Sequence, residues 1–185
     1  TGLDLFPEFI NIFSRNAKQS DLSDRVKGVV GSMDDLPFGK ESLDLIWSEG
    51  AIANIGFKKG LNYWNGFLKK DGYVALTYES WFTDDRPAEI EKFWLDAVPE
   101  MNTISHNISV LQKAGYRLVA AFTLPETCWT EHYFSPCSKI QDEFLKKHAG
   151  SKTAEELIAG QRHEKVLYDK YKEFYGYVFY IGKKI

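Results

Sequence analysis

Cysteine is scarce in this chain: Cys128 and Cys137 are the only two in 185 residues. They form no paired-ligand motif, which argues against a disulfide framework and leaves two free thiols, the usage of a cytoplasmic protein. Cys128, His132 and Cys137 lie close in sequence, but zinc sites need three or four converging ligands, and no metal is expected. An excess of positive charge is missing too. The net charge is −3 with no basic block, so the footprint of a nucleic-acid binder is absent. No apolar run approaches the ~20 residues of a membrane span. The pattern glycine-x-glycine, core of a dinucleotide-binding loop, occurs nowhere.

What is present is an aromatic-rich globular composition, 44% apolar and 15% aromatic. The length suits one domain, residues 1–185, with a real core. "TGLDLFPEF" reads as the tip of a strand ending near Asp4, with Pro7 at the first position of a helix that carries Phe9, Ile10, Phe13 and Ala17. "RVKGVVGS" (25–32) and "LDLIWS" (43–48) predict strands, the second apolar almost throughout, as strands buried on both faces are. Phe57, Leu61, Trp64 and Leu68 form a helical stripe, "KKDG" (69–72) a turn, and "YVALTYES" (73–80) a strand. Strand and helix in alternation predict an α/β sheet joined by crossovers.

The second half predicts a helix from Pro87 with Ile90, Phe93 and Trp94, and another with Ile104, Ile108 and Leu111 that ends at Gly115. "YRLVAAFTL" (116–124) and "YGYVFYIG" (175–182) predict the last two strands. Between them lies a helical insertion, about 125–174, with Ser135-Pro136 opening one helix and a capping box from Thr153 to Glu156 opening the next.

Ligands of open α/β sheets bind at the carboxyl ends of the strands. Asp4 stands at such an end, where a carboxylate can accept hydrogen bonds from both hydroxyls of a ribose; a plain helix-entry aspartate is the alternative. In the dinucleotide version that acid lies ~20 residues after a glycine-rich loop. The expectation is therefore that the first strand and its loop are absent from this chain, which starts at the second strand. "GSMDDLPF" (31–38) offers a backbone N–H at Met33, a carboxylate at Asp34 and apolar surface from Met33 and Leu36, the inventory an adenine needs; an Asp-rich turn is the alternative.

"GLDLFPEFI" (2–10), "GSMDDLPF" (31–38), "SLDLIWSEGAIANIGF" (42–57) and "GFLKKDGYVALTYESWF" (66–82) together resemble the class I S-adenosylmethionine-dependent methyltransferases, nearest the type 11, UbiE-like small-molecule branch. "LPETCWTEHYF" (124–134) resembles bacterial members. The resemblance implies a Rossmann-like sheet with an antiparallel last strand and S-adenosyl-L-methionine as cofactor. By position it implies Asp4 and Leu5 at the ribose, Ser32, Met33 and Asp34 around the adenine, and Ser48, Glu49 and Gly50 facing the sulfonium and methionine part. The family's glycine-rich loop has no counterpart here, and Asp71-Gly72 replaces its Pro-Gly turn.

The implied reaction is methyl transfer to a small-molecule acceptor. Trp81, Phe82, Trp129 and Tyr133 follow strand ends and are expected to form the acceptor pocket, with His132 as a general base and Glu49 second. An aromatic C-terminal strand leaves room for a homodimer. Without the first strand, two inner edges lack ladder partners and the chain is expected to be poorly stable. Two further readings stay open: a nicotinamide-dependent oxidoreductase, because a ribose acid alone does not separate the cofactors, and a non-catalytic binding module.

Overall fold

The computed structural model describes all 185 residues and is organised around one long strand, β4 (Leu68–Trp81). Its neighbours are β3 (Leu43–Ser48) and β7 (Tyr175–Lys184), with β6 (Tyr116–Thr123) beyond β7. β3 runs parallel to β4, whereas β7 is antiparallel to both β4 and β6. The short β5 (Asn102–Thr103) pairs with the end of β4. This is the expected α/β sheet with an antiparallel last strand. β7 is interior, flanked on both sides, so the strand expected to support a homodimer has no free ladder edge.

β1 (Gly2–Asp4) and β2 (Gly28–Val30) form a separate parallel pair. α1 (Pro7–Gln19) starts at Pro7 and packs onto this pair through Ile10 and Phe13. A Cβ at Gly28 would lie 2.8 Å from the Ile10 side chain, so the glycine allows helix and strand this close. β1 and β3 each have a partner on one side only, and no strand of the chain bridges them. Between them lies a cavity of about 390 Å³, walled by Thr1 and Leu3 on one side and by Leu43, Leu45 and Trp47 on the other.

One sheet face is covered by α2 (Phe57–Asn65) and α4 (Ile104–Lys113). Val74, Leu76 and Tyr78 of β4 and Val178 and Tyr180 of β7 point into this core, where they meet Phe57, Leu61, Trp64 and Leu111. Leu68, expected on the α2 stripe, begins β4 instead. Ser80, Tyr180 and Asn107 form a buried network, with Ser80 Oγ and Tyr180 Oη 2.7 Å apart, which satisfies groups that would otherwise be costly to bury. Gly115, in the left-handed region at φ +87°, follows α4 and turns the chain into β6.

The opposite face carries Glu79, Trp81, Tyr175 and Tyr177 at its upper end, under the insertion. That insertion consists of α5 (Thr127–Trp129), a wide turn over Thr130–Phe134, α6 (Ser135–Lys147) and α7 (Lys152–Tyr171). Trp81, Trp129, Phe134, Leu167, Tyr168 and Tyr175 make a second core there, together with α3 (Ala88–Ala97). Lower down the face is open. Leu45 and Trp47, expected on a strand buried on both faces, are 49% and 60% exposed because nothing covers them.

Local chemistry departs from the sequence reading at three more places. "KKDG" is a bulge inside β4, not a turn before it: pairing shifts between Leu43 and Leu45, and Asp71 takes φ +67°. α7 is capped by Ser151, whose hydroxyl accepts from the Ala154 N–H, and not by Thr153. Ser135 continues from the wide turn, so it is the first residue of α6 without acting as its cap. No helix is long and apolar enough to cross a membrane.

Candidate active site

β1 and β2 bring the two ends of the expected nucleoside corner together. The N–H of Gly31, just past β2, donates to the Asp4 carbonyl at 2.9 Å. The Asp4 carboxylate is half-buried, and its Oδ1 accepts from the Phe6 N–H at 2.8 Å, which orients the side chain at the helix entry. Its other oxygen makes no hydrogen bond within the chain. Leu5, next in sequence, is exposed.

The turn that begins at Ser32 is held from the side by α2. Trp64 Nε1 donates to the Met33 carbonyl at 2.8 Å, and the Leu36 N–H donates to the Tyr63 hydroxyl at 3.0 Å. Ser32 Oγ donates to Asp34 Oδ1 at 2.5 Å and Lys59 Nζ lies 3.4 Å from Oδ2. The Ser32 hydroxyl first, then Lys59, hold the Asp34 carboxyl below the usual aspartate value. Met33 and Leu36 present apolar surface to the cavity between β1 and β3.

Ser48 and Glu49, at the end of β3, line the same cavity. Glu49 Oε1 accepts from Trp47 Nε1. Gly50 takes φ +59°, which glycine adopts without strain, and its N–H donates to Thr77 Oγ1 of β4 at 2.7 Å. The Ser32–Asp34 and Ser48–Gly50 segments thus flank one opening at the carboxyl ends of β1 and β3.

The expected acceptor residues are not gathered there. Trp81 and Trp129 are 1% and 4% exposed. Trp129 already stacks with Tyr168 and Tyr177, at centroid separations of 5.1 and 4.9 Å, so its ring is used in packing. Phe82 is half-buried, against Gly176. Tyr133 turns inward and donates to Glu164 Oε2 at 3.1 Å. His132, next to it, is exposed and makes no hydrogen bond; the turn that points Tyr133 and Phe134 inward points His132 out. The cavity wall includes Glu49 and not His132.

A pair under the Ser48–Gly50 segment, Glu79 buried and Tyr177 half-buried, escaped the sequence reading. Tyr177 donates its phenol proton to Glu79 Oε1 at 2.8 Å, across a separation of 98 residues. A Cβ built on Gly50 would lie 3.6 Å from that phenol oxygen. Only the register of β4 against β7 places the two side chains together, and no local signal carries that register.

Comparison with known proteins adds three findings. Residues 1–76 match the family model described as a methyltransferase domain. The chain is 26% identical over 170 residues to erythromycin 3''-O-methyltransferase of Saccharopolyspora erythraea, an alignment covering 79% of this chain and 52% of that protein. The chain thus spans about half the length of the curated relative it matches. Among solved structures, an S-adenosylhomocysteine complex of a methyltransferase from Geobacter sulfurreducens superposes with a TM-score of 0.81 at 15% identity, covering 100% of this chain and 74% of that one. A corresponding complex from Thiobacillus denitrificans gives 0.79 at 18%, covering 100% and 75%. At these identities the structures establish the fold.

Proposed function

From the premise that this chain is a member of the class I S-adenosylmethionine-dependent methyltransferases, we propose that it binds S-adenosyl-L-methionine across the β1–β3 opening and serves methyl transfer to a small-molecule acceptor. The observation that carries this reading is the Asp4–Gly31 contact, which sets a carboxylate with a free oxygen beside the Ser32–Asp34 turn.

The donor set suits a nucleoside. Asp4 would accept from the ribose hydroxyls with Leu5 beside it. Met33 and Leu36 would cover the adenine faces, while Ser32 and Asp34 would meet its polar edge. Asp34 already accepts from Ser32 and faces Lys59, so its remaining lone pairs are those left for an exocyclic amine. Ser48, Glu49 and Gly50 would face the methionine part.

When bound, the cofactor supplies a methyl carbon already activated by the sulfonium charge. The chain's residues then need to hold, align and exclude water. Where the acceptor carries a proton, Glu49 is the base this reading favours, since it borders the cavity. His132 serves that role only if the wide turn reorients. Trp81, Phe82, Trp129 and Tyr133 lie outside the cavity wall, so this reading does not rest on them for the acceptor.

The antiparallel β7 between β4 and β6 favours this reading over a nicotinamide-dependent oxidoreductase. The two free cysteines favour a cytoplasmic protein, read as one domain over residues 1–185. Calorimetric titration with S-adenosylhomocysteine and, separately, with NAD tests it. Binding of the first and not the second is expected; the reverse would replace it with the oxidoreductase reading.

A further inference from the structure

We propose that the lower rim of the sheet, at the end remote from the β1–β3 opening, holds a second ligand site, which takes the dianionic phosphate group of a small soluble molecule. The proposal goes beyond the methyl-transfer reading and does not depend on it.

The sequence has no basic block, yet strand register assembles a basic corner. The bulge of β4, the start of β6 and the end of β7 bring Lys70, Arg117 and Lys183 to the wall of one cavity of about 400 Å³. That is roughly ten times the ~30 Å³ share of a water molecule, room for a phosphate and part of what carries it. Along β4, Lys70 stands up to about 20 Å from Leu76, the partner of Ser48 at the cofactor opening. The two sites are separate.

The charges in this corner do not balance. Lys184 also lines the cavity, but Glu41 and the carbonyls of Asn65 and Leu68 take its three protons, at 3.4, 2.9 and 2.8 Å. Asp71 is the one acidic side chain on the wall. It pairs with Lys183 at 2.8 Å. Lys183 first, then Lys70 and Arg117, hold its carboxyl below the usual aspartate value. Neither Lys70 nor Arg117 has a carboxylate within 4.0 Å. Lys70, Arg117 and Lys183 thus share one carboxylate, a local positive excess in a chain whose net charge is −3.

Register adds a cost. Arg117 sits directly opposite Lys183 in the β6–β7 ladder. Like charges facing each other across a ladder are destabilising, and Asp71 is paired with only one of them. A bound anion removes that repulsion.

Chemistry selects the anion. The planar fork of Arg117 can meet two oxygens of a phosphate at once, and Lys70 supplies a point charge. Gln112, on the same wall, adds an amide donor. A phosphate dianion matches the charges of Lys70 and Arg117, whereas a carboxylate would leave one of them unanswered. The same positive field repels cationic ligands.

Methyl phosphate and acetate, titrated at equal ionic strength into the isotopically labelled chain, test the proposal. The pH is about 7.5, where a phosphate monoester is close to dianionic. Methyl phosphate should move the amides of Lys70, Asp71, Arg117 and Lys183 on one saturating curve. Its affinity should exceed that of acetate by at least about tenfold, the scale of one charge-assisted hydrogen bond. Arg117→Gln should weaken methyl phosphate by about the same factor, and Lys70→Gln serves if that variant does not fold. Asp71→Asn suits the positive φ there and removes the competing acid. It should tighten methyl phosphate by about two- to fivefold, the worth of an exposed ion pair and a change that lost structure does not produce. Shifts that never saturate, equal affinities for the two anions, or an affinity unchanged in all three variants would overturn the proposal. Sedimentation with phosphatidylcholine vesicles carrying phosphatidic acid, abolished by Arg117→Gln, would assign the phosphate to a lipid headgroup and overturn the soluble ligand. S-adenosylhomocysteine affinity should be the same in parent and variants, so a failure of either site is read without the other.

Discussion

The Gly31 N–H donates to the Asp4 carbonyl at 2.9 Å, which locks the tip of β1 to the turn that follows β2. The turn closes on itself as well, with the Asp35 N–H donating to the Ser32 carbonyl at 3.1 Å. The backbone therefore fixes where the Asp4 carboxylate stands, and its charge is free for a ligand. Asp4→Asn keeps an oxygen for the Phe6 N–H and removes the charge. S-adenosylhomocysteine affinity should fall by roughly 10-fold or more, the range of a charge-assisted hydrogen bond, with a melting temperature close to that of the parent. Calorimetry and a thermal melt on the same sample check both halves.

Gly72 closes the bulge in β4. A Cβ there would lie 2.9 Å from the Lys69 carbonyl oxygen, 3.2 Å from that of Asp44 and 3.3 Å from that of Leu43. All three are backbone atoms and cannot swing aside. Gly72→Ala should cost about 1–3 kcal/mol, as overpacking does, read as a lower urea midpoint with unchanged slope. A neutral substitution would mean that the bulge relaxes.

Stability should be uneven across the sheet. β4 and β7 share nine paired positions, from Tyr73–Lys183 to Trp81–Tyr175. β1 and β2 share three, and β1 and β3 each carry an open edge. Amide protons of Leu3 and Val29 should exchange on the order of 100-fold faster than those of Leu76 and Tyr180, because local opening there breaks few bonds. Hydrogen exchange followed by NMR gives the ratio directly.

Much of the architecture was legible from the residues. The alternation of strands and helices and the helices between the last two strands follow from apolar periodicity and turn chemistry; the antiparallel last strand came from the family resemblance. What was not legible is long-range. The run Leu43–Ser48 reads as doubly buried, yet whether a second face is covered depends on what packs on it, and nothing covers Leu45 and Trp47. Trp129 reads as a pocket aromatic, but stacking on Tyr168 and Tyr177 uses its ring inside the core. The Ser151 cap lies two residues before the Thr153–Glu156 box, and with Ala154 three residues on it carries no box signature of its own. Tyr177 and Glu79 meet only through strand register.

Glu164 makes stability depend on pH in a defined direction. Burial and the Glu79 charge raise its folded value above the ordinary 4.5, against the pull of Tyr133. Between the unfolded and folded values the native state holds the extra proton, so its contribution is intact below the unfolded value and declines as pH rises through that interval. Glu164→Gln carries no such proton. The melting temperature of the variant, minus that of the parent, should increase from pH 4 to pH 7 and then level off. Parallel profiles would show that Glu164 is solvated in both states.

The central claim is that one nucleoside site spans the ends of β1, β2 and β3, and amide chemical shifts test it most directly. S-adenosylhomocysteine titrated into the isotopically labelled chain should move the amides of Asp4, Leu5, Ser32, Met33, Asp34, Glu49 and Gly50 together, on one binding curve. Shifts confined to the open face around Trp47 and Phe122, or none at saturating ligand, would contradict it.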